Sequence, residues 1–181
     1  MQFETFALSG PALITPARIG DARGYFMEAF KDNWFREHIA GVTFVQDNQS
    51  LSAQTGTIRG LHYQTAPFEQ GKLVRCLKGA IFDVAVDIRP GSATFGQWIG
   101  AELSADNARQ LWVPAGFAHG FCTLVPDTEV FYKVTNPYSR EHDCGLAFDD
   151  PVIGIVWPVD LVAAVLSDKD RRQPKLDSLM R

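Results

Sequence analysis

The sequence predicts an all-β fold, a barrel or sandwich of short strands with one or two short helices. Three observations predict it. Apolar segments recur along the chain, turn residues separate them about every 8–12 positions, and several segments alternate apolar with polar residues. The 13 Phe residues, a type favoured in strands, agree with this class.

At least seven segments have the composition of strands. The best defined is 82–89, where Asp83, Ala85 and Asp87 alternate with larger apolar residues, as in a strand buried on one face. Turn signals such as Pro90-Gly91 close these segments. The predicted strands are 58–64, 72–77, 82–89, 94–101, 109–113, 119–124 and 128–135.

Two helices are predicted. One covers 34–39, with Asp32 as N-cap and Gly41 as C-cap, and the other covers 160–166, after Pro158.

Composition limits the function classes. The 181 residues suit a single domain, 1–181. The net charge of −4 lacks the basic footprint of a nucleic-acid-binding protein, although a local cluster of Arg and Lys still suits a small anion. Three scattered Cys predict neither a disulfide framework nor a zinc site. With no signal peptide and no apolar run of about 18 residues, a cytoplasmic protein without membrane contact is expected.

Two polar residues share a strand face with apolar ones. Tyr132 shares a face with Val130 and Val134, so it points inward, either as a core tyrosine or as a functional one. Lys72 shares a face with Val74, but it begins its strand and either enters the interior or reaches solvent.

The segment from Pro114 to His119 has the pattern P-x-G-x-x-H of cupin barrels. Metal-binding cupins also carry an H-x-H pair, whereas here Gln64 stands two residues after His62. Two histidines without a firm carboxylate make a weak transition-metal site, so no metal is expected. Strand alternation alone leaves open which face of 58–64 is inside.

Eight blocks in order resemble the dTDP-4-dehydrorhamnose 3,5-epimerase family over nearly the whole chain. They are Asp21-Ala-Arg-Gly-Tyr-Phe26, Gln46-Asp-Asn-Gln-Ser50, Arg59-Gly-Leu-His-Tyr-Gln64, Gly71-Lys-Leu-Val-Arg75, Phe82-Asp-Val-Ala-Val-Asp87, Gln110 to Phe121, Tyr132-Lys133 and Leu166 to Asp170. The resemblance implies a metal-free cupin jelly-roll barrel (a double-stranded β-helix), without cofactors, that forms a homodimer through contacts of the N-terminal strand. It also implies inversion of C3 and C5 of dTDP-4-keto-6-deoxy-D-glucose, in dTDP-L-rhamnose biosynthesis.

The resemblance assigns four catalytic residues. His62 is implied as the base and Asp170 as its orienting carboxylate, with Asp168 as the alternative. Lys72 is implied as the stabiliser of the enolate oxygen, and Tyr132 as the acid that returns a proton from the opposite face.

The resemblance also implies a set of substrate contacts. Arg23 and Arg59 would hold the diphosphate, Tyr138 would stack on thymine, and His119 would bind sugar or phosphate. Where the family pattern suggests Glu, this chain has Asp143, one methylene shorter. The full implied set is Arg23, Phe26, Glu28, Gln46, Asn48, Arg59, His119, Tyr138, Asp143 and Lys169.

Three other functions stay open at this point. The first is inversion of one carbon only, in a related dTDP-4-keto sugar. The second is a metal-dependent cupin enzyme that uses His62 and His119, and the third is a non-catalytic sugar-nucleotide binding module.

Overall fold

The computed structural model describes residues 1–180, in which the chain forms two large antiparallel β-sheets and a small hairpin. One α-helix and two 3-10 helices complete it. The strands are β1 (Gln2–Thr5), β2 (Ala12–Thr15), β3 (Arg18–Asp21), β4 (Gly24–Met27), β5 (Gln46–Ser52), β6 (Ile58–Gln64), β7 (Lys72–Lys78), β8 (Ala80–Asp87), β9 (Trp98–Ser104), β10 (Gln110–Val113), β11 (Phe117–Thr123), β12 (Thr128–Val134) and β13 (Asp143–Gly145). The helices are α1 (Asp32–His38) and the 3-10 turns Asp170–Arg172 and Leu176–Met180.

The two large sheets differ in strand number. Six strands form the first in the order β1-β2-β10-β7-β12-β5, and five form the second in the order β13-β6-β11-β8-β9. Strands β3 and β4 make a separate hairpin. Within residues 1–180, no helix is long and apolar enough to cross a membrane.

Three apolar clusters hold these layers together. Side chains from both sheets, such as Val74 and Phe121, fill the space between them. Phe35 of α1 covers the outer face of the six-stranded sheet, against Trp112. The segment after β13 covers the outer face of the five-stranded sheet with residues such as Trp157.

Strand β8 is buried on both faces, so the expectation of one buried face for 82–89 was wrong. Val84 and Val86 pack under the C-terminal segment, whereas Ala85 faces the barrel interior. Asp83 and Asp87 lie on that interior face and are fully buried. Alternation marks one buried face, but it does not reveal a second covering layer supplied from distant sequence.

Three further predictions differ from the structure. The strand predicted at 94–101 begins only at Trp98, because the preceding residues form a turn in which the Thr94 hydroxyl binds Asp87. The helix predicted at 160–166 does not form. There the Asp160 side chain accepts a hydrogen bond from the Val162 amide, and Val165 makes a parallel bridge to Thr57. Helix α1 forms as expected, but its N-cap is Lys31 rather than Asp32, and its C-cap is Ile39 rather than Gly41.

Candidate active site

A cleft lies between the two sheets beside the C-terminal segment. It consists of a cavity of about 440 Å³ and a neighbouring one of about 380 Å³. His62, Lys72, Tyr132 and Lys169 line both cavities, so the two form one continuous site. The first cavity also contains Ser50, Thr57, Ile58, Arg59, His119, Phe121, Val165, Leu166, Ser167 and Asp170, and the second Gln46, Asn48, Tyr63, Gln64, Gln70, Tyr138 and Asp143.

His62 and Asp170 form a hydrogen-bonded pair in this cleft. The distance from His62 Nε2 to Asp170 Oδ1 is 2.6 Å, and the Ser167 hydroxyl donates to the other carboxylate oxygen at 2.9 Å. Burial alone would raise the pKa of Asp170, but these hydrogen bonds outweigh it and hold the pKa below its usual range. An ionised Asp170 accepts a hydrogen bond from His62 Nε2–H, so the imidazole carries its proton on Nε2 and Nδ1 is its basic nitrogen.

A shift in strand register turns both His62 and Arg59 toward the cleft. His119 of β11 pairs with His62, but Phe121, two residues on, pairs with Arg59, three residues back. Two glycines allow this close approach, since a Cβ on Gly60 would lie 2.5 Å from the Cα of Gly120. The Arg59 guanidinium is held by the Ser52 hydroxyl at 3.0 Å.

Lys72 enters the cleft from the opposite sheet. It is 8% exposed, and its ammonium donates one hydrogen bond, to the carbonyl of His62 at 3.3 Å. Burial lowers the pKa of Lys72 to about 8, against the opposing effect of the Asp83 and Asp143 charges. Of the two positions that the strand pattern left open for Lys72, the structure shows the interior one.

Tyr132 lies on the same wall of the cleft as Lys72, since β12 is next to β7 in the six-stranded sheet. Its ring packs on the interior cluster, as its alternation predicted, and the side chain lines both cavities. Burial raises the pKa of Tyr132, so its hydroxyl keeps its proton at neutral pH. His62 on β6 and Tyr132 on β12 thus approach the cleft from opposite sheets.

Behind these residues lies a second imidazole–carboxylate pair. His119 Nε2 is 2.7 Å from Asp83 Oδ1, and both side chains are almost completely buried. Burial lowers the pKa of His119 in spite of the Asp83 charge, so its imidazole is neutral at pH 7.

The second cavity ends in a polar cluster around Asp143. One carboxylate oxygen accepts hydrogen bonds from the Tyr138 hydroxyl at 2.9 Å and from Lys169 Nζ at 2.5 Å. Nearby, the Gln46 amide donates to Asn48. This arrangement offers an aromatic face, a cation and amide groups to a ligand.

The comparisons with known proteins agree with this geometry. The family model described as dTDP-4-dehydrorhamnose 3,5-epimerase matches residues 5–178. The chain belongs to this family. A relative of that name from Sinorhizobium fredii is 60% identical over 99% of this chain and 91% of its own length.

Solved structures of the epimerase family have the same jelly-roll fold. That of a 3,5-epimerase from Bacillus anthracis, with TDP and pyrophosphate bound, has a TM-score of 0.91 and 49% identity, and covers 96% of this chain and 98% of its own. An epimerase from Legionella pneumophila in complex with dTDP-4-keto-L-rhamnose has a TM-score of 0.92 and 44% identity, covering 97% and 93%. The predicted all-β cupin fold is confirmed.

A member with narrower activity is less similar. A 3'-monoepimerase from Streptomyces bikiniensis in complex with dTDP-quinovose has a TM-score of 0.90, but only 32% identity, over 97% of this chain and 88% of its own. Fold similarity alone therefore does not separate inversion of one carbon from inversion of two.

Most of the residues that the epimerase-family resemblance implied lie around the cleft. All four catalytic candidates line it, and Asp170 rather than Asp168 contacts His62. The lining also includes seven of the ten implied substrate contacts: Gln46, Asn48, Arg59, His119, Tyr138, Asp143 and Lys169.

Three implied contacts lie elsewhere in this chain. Arg23 is exposed on the β3–β4 hairpin, where its guanidinium pairs with Asp21 at 2.5 Å. Phe26 of the same hairpin is 65% exposed, and Glu28 pairs with Lys31 at 3.7 Å. None of the three lines either cavity of the cleft.

Sequence reasoning assigned no role to Asp83. A carboxylate alternating with apolar residues in a strand resembles a solvent-facing residue, and only burial of both faces of β8 reveals it as an interior group.

Among residues 1–180, no cluster of three or more His, Cys, Asp or Glu side chains could hold a metal ion. Gln64, at the second position of the H-x-H pattern, instead uses its amide to bind the carbonyl of Phe68 at 2.6 Å.

Proposed function

We propose that this protein inverts C3 and C5 of dTDP-4-keto-6-deoxy-D-glucose, giving dTDP-4-keto-L-rhamnose. The observation that carries the proposal is the placement of His62 and Tyr132 on opposite walls of one cleft, with Lys72 beside them. Inversion needs a base on one face of the sugar and an acid on the other, and this pair supplies both.

The chemistry follows from the C4 ketone. It acidifies the protons on C3 and C5, because the electron pair left by a departing proton spreads onto the ketone oxygen. His62 Nδ1 takes the proton, and the Lys72 ammonium stabilises the enolate oxygen. The Tyr132 hydroxyl then donates a proton to the opposite face of the same carbon.

Each inversion leaves His62 protonated and Tyr132 ionised. The pair must return to its starting state before the second carbon reacts, with water taking the proton from the imidazolium and delivering one to the phenolate. The cleft is open enough for this, because the His62 side chain is still 31% exposed.

The rest of the cleft suits a nucleoside diphosphate. Arg59 would pair with the diphosphate through its guanidinium, while Tyr138 and Lys169 would contact the base end with Asp143. The bound TDP in the Bacillus anthracis relative is consistent with a ligand of this class. The shorter Asp143 already reaches Tyr138 and Lys169, so its side-chain length does not prevent it from organising this cluster.

A homodimer would account for the three implied contacts outside the cleft. The β3–β4 hairpin exposes Ile19, Tyr25 and Phe26 together, which is unusual for the surface of a monomer. We propose that a second copy covers this hairpin and receives Arg23, Phe26 and Glu28 near its own cleft. Size-exclusion chromatography should give the mass of a dimer at micromolar concentration, and a monomer would refute this proposal. The expected site of action is the cytoplasm.

The deciding experiment is turnover of dTDP-4-keto-6-deoxyglucose in heavy water. We expect deuterium at both C3 and C5 of the product, together with inversion at both carbons. Label at one carbon only would instead establish a monoepimerase, the activity named for the Streptomyces bikiniensis relative. Purified protein that binds dTDP but exchanges neither proton would be a binding module.

The same assay tests the base. His62→Ala should abolish exchange at both carbons, while dTDP binding, measured by calorimetry, should persist because the nucleotide contacts are unchanged. A rate like that of the wild type would refute the assignment of His62.

A further inference from the structure

Asp83 carries a buried carboxylate that is only half satisfied. Its side chain is 0% exposed, and Oδ1 is bound by His119. Oδ2 is the single buried side-chain oxygen or nitrogen in residues 1–180 that has no hydrogen-bond partner. A buried carboxylate oxygen without a donor is costly, so its retention calls for a physical reason.

The residue most in need of a counter-charge is Lys72. Its ammonium has three donors but makes a single long hydrogen bond, to a neutral carbonyl. Lysine is almost never buried without a partner. Among the charges that favour the protonated form of Lys72, Asp83 has the largest effect and Asp143 the next.

The other charges around Lys72 do not replace Asp83. Asp170 is engaged by His62 and Ser167, and Asp143 by Lys169 and Tyr138. Lys169 itself opposes a positive charge on Lys72. The titratable and charged groups around Lys72 are Arg59 and His62 on β6, Asp83 on β8, His119 on β11, Tyr132 on β12, Asp143 on β13, and Lys169 and Asp170 near the C-terminus.

Asp83 does not itself face the substrate. It is absent from the lining of both cavities, whereas Lys72 lines both of them and His119 lines the first. Any effect of Asp83 on the reaction must therefore act through these two neighbours. Its bond to His119 Nε2 also sets that tautomer, leaving Nδ1 as a hydrogen-bond acceptor.

We infer that Asp83 is a positioning residue of the reaction, whose carboxylate keeps Lys72 protonated inside the barrel so that an ammonium meets the enolate oxygen. The inference rests on the proposed function, because it gives Lys72 its charged role. A merely structural Asp83 would instead only tie β8 to β11 through His119.

Asp83→Asn separates these roles, because it keeps the size of the side chain and removes the charge. The alkaline limb of the kcat/KM–pH profile should move to lower pH by at least about one unit, since an opposite charge nearby shifts a pKa by that order. The limb should stay in place if Asp83 is only structural, and that result would overturn the inference.

Asp87→Asn is the matched control. Asp87 lies on the same strand and is also 0% exposed, but its partners Arg89, Ser92 and Thr94 lie outside the cleft lining. This variant should lose stability while the alkaline limb stays where it is in the wild type. A limb that moves equally in both variants would mean that damage to β8, not charge, causes the shift.

A second variant keeps the inference testable if Asp83→Asn does not fold. His119→Gln removes the imidazole but leaves the Asp83 carboxylate, so the Lys72 limb should stay or move to higher pH. Movement to lower pH would contradict a charge-based role.

Carbon-13 NMR of the Lys72 side chain, assigned by its loss in Lys72→Arg, gives a readout without substrate. Its titration should move to lower pH in Asp83→Asn. If it does so but wild-type protein exchanges no sugar protons, the counter-ion role stands and the proposed function fails. If exchange proceeds and the titration is unmoved, the inference alone fails.

Discussion

His62 Nε2 lies 2.6 Å from Oδ1 of Asp170, a residue 108 positions later in the chain. The carboxylate comes from a 3-10 turn that packs against β6, so the base depends on how the C-terminal segment is placed. Asp170 is buried and further held by Ser167, which fixes the orientation of the imidazole.

Asp170→Asn should lower kcat by roughly 10²–10⁴-fold, because an amide cannot stabilise the imidazolium that forms and allows the wrong tautomer. The affinity for dTDP should change little. Epimer formation followed by NMR and dTDP calorimetry would measure the two effects.

Asp168→Asn is the control for that experiment. Asp168 is exposed and contacts Arg172 through its carbonyl rather than its carboxylate. Its substitution should leave kcat unchanged. Equal losses in both variants would contradict the specific pairing of Asp170 with His62.

Tyr132→Phe should separate proton removal from inversion. The base on the opposite wall is intact, so in heavy water the recovered substrate should gain deuterium with its configuration retained. Formation of the epimer should fall by at least about 100-fold, since the acid on the second face is lost. If exchange and inversion fell in equal proportion, Tyr132 would act in binding or in an earlier step.

The alkaline limb of the kcat/KM–pH profile should follow the deprotonation of Lys72. Burial lowers its pKa to about 8, and the ammonium form exists below that value, so kcat/KM should fall as pH rises through about 8. Lys72→Arg keeps a positive charge at all these pH values. It should lower the overall rate but remove the inflection between pH 7 and 10. An inflection unchanged in that variant would assign the limb to another group.

Periodicity predicted the inward direction of Tyr132, whereas for Lys72, the first residue of β7, it left an interior and a solvent-facing position open. Strand β12 lies inside the six-stranded sheet, and beyond a register shift between Glu129 and Val130 its pairing with β7 is regular through Tyr132 to Val134. The same rule could not place His62 and Arg59 on one face, since they are three residues apart. The register shift opposite Gly120 breaks the alternation in β6, and it depends on a neighbouring strand that is distant in sequence.

The roles of carboxylates were harder to predict from the sequence. Asp83 and Asp87 alternate with apolar residues as exposed residues would, but the C-terminal segment covers the other face of β8. The segment 160–166 has a helical composition, yet its backbone instead bridges to Thr57 and closes one side of the cleft. Both outcomes follow from long-range packing, which local propensity does not contain.

Asp87 should contribute to stability rather than to catalysis. Its fully buried carboxylate accepts hydrogen bonds from the Arg89 guanidinium at 2.7 Å and from the hydroxyls of Ser92 and Thr94 at 2.6 Å each. Burial opposes ionisation, but these bonds outweigh it and hold the pKa of Asp87 well below its usual range. Asp87→Asn should therefore lower the free energy of unfolding at pH 7 by about 2 kcal/mol, because it removes the charge that these hydrogen bonds stabilise, while Arg89 is still partly in solvent.

The sign of the pH dependence follows from the lowered pKa. The folded state binds fewer protons at this site than the unfolded state, so the stabilisation is complete above the ordinary carboxylate pKa of about 3.9 and decreases as pH falls below it. Urea unfolding of the wild type and Asp87→Asn should show a gap at pH 7 that narrows toward pH 3. Asp149→Asn, at an exposed site, should change stability by less than about 0.5 kcal/mol. A gap of constant size across this range would show that the loss arises from packing rather than from the charge of Asp87.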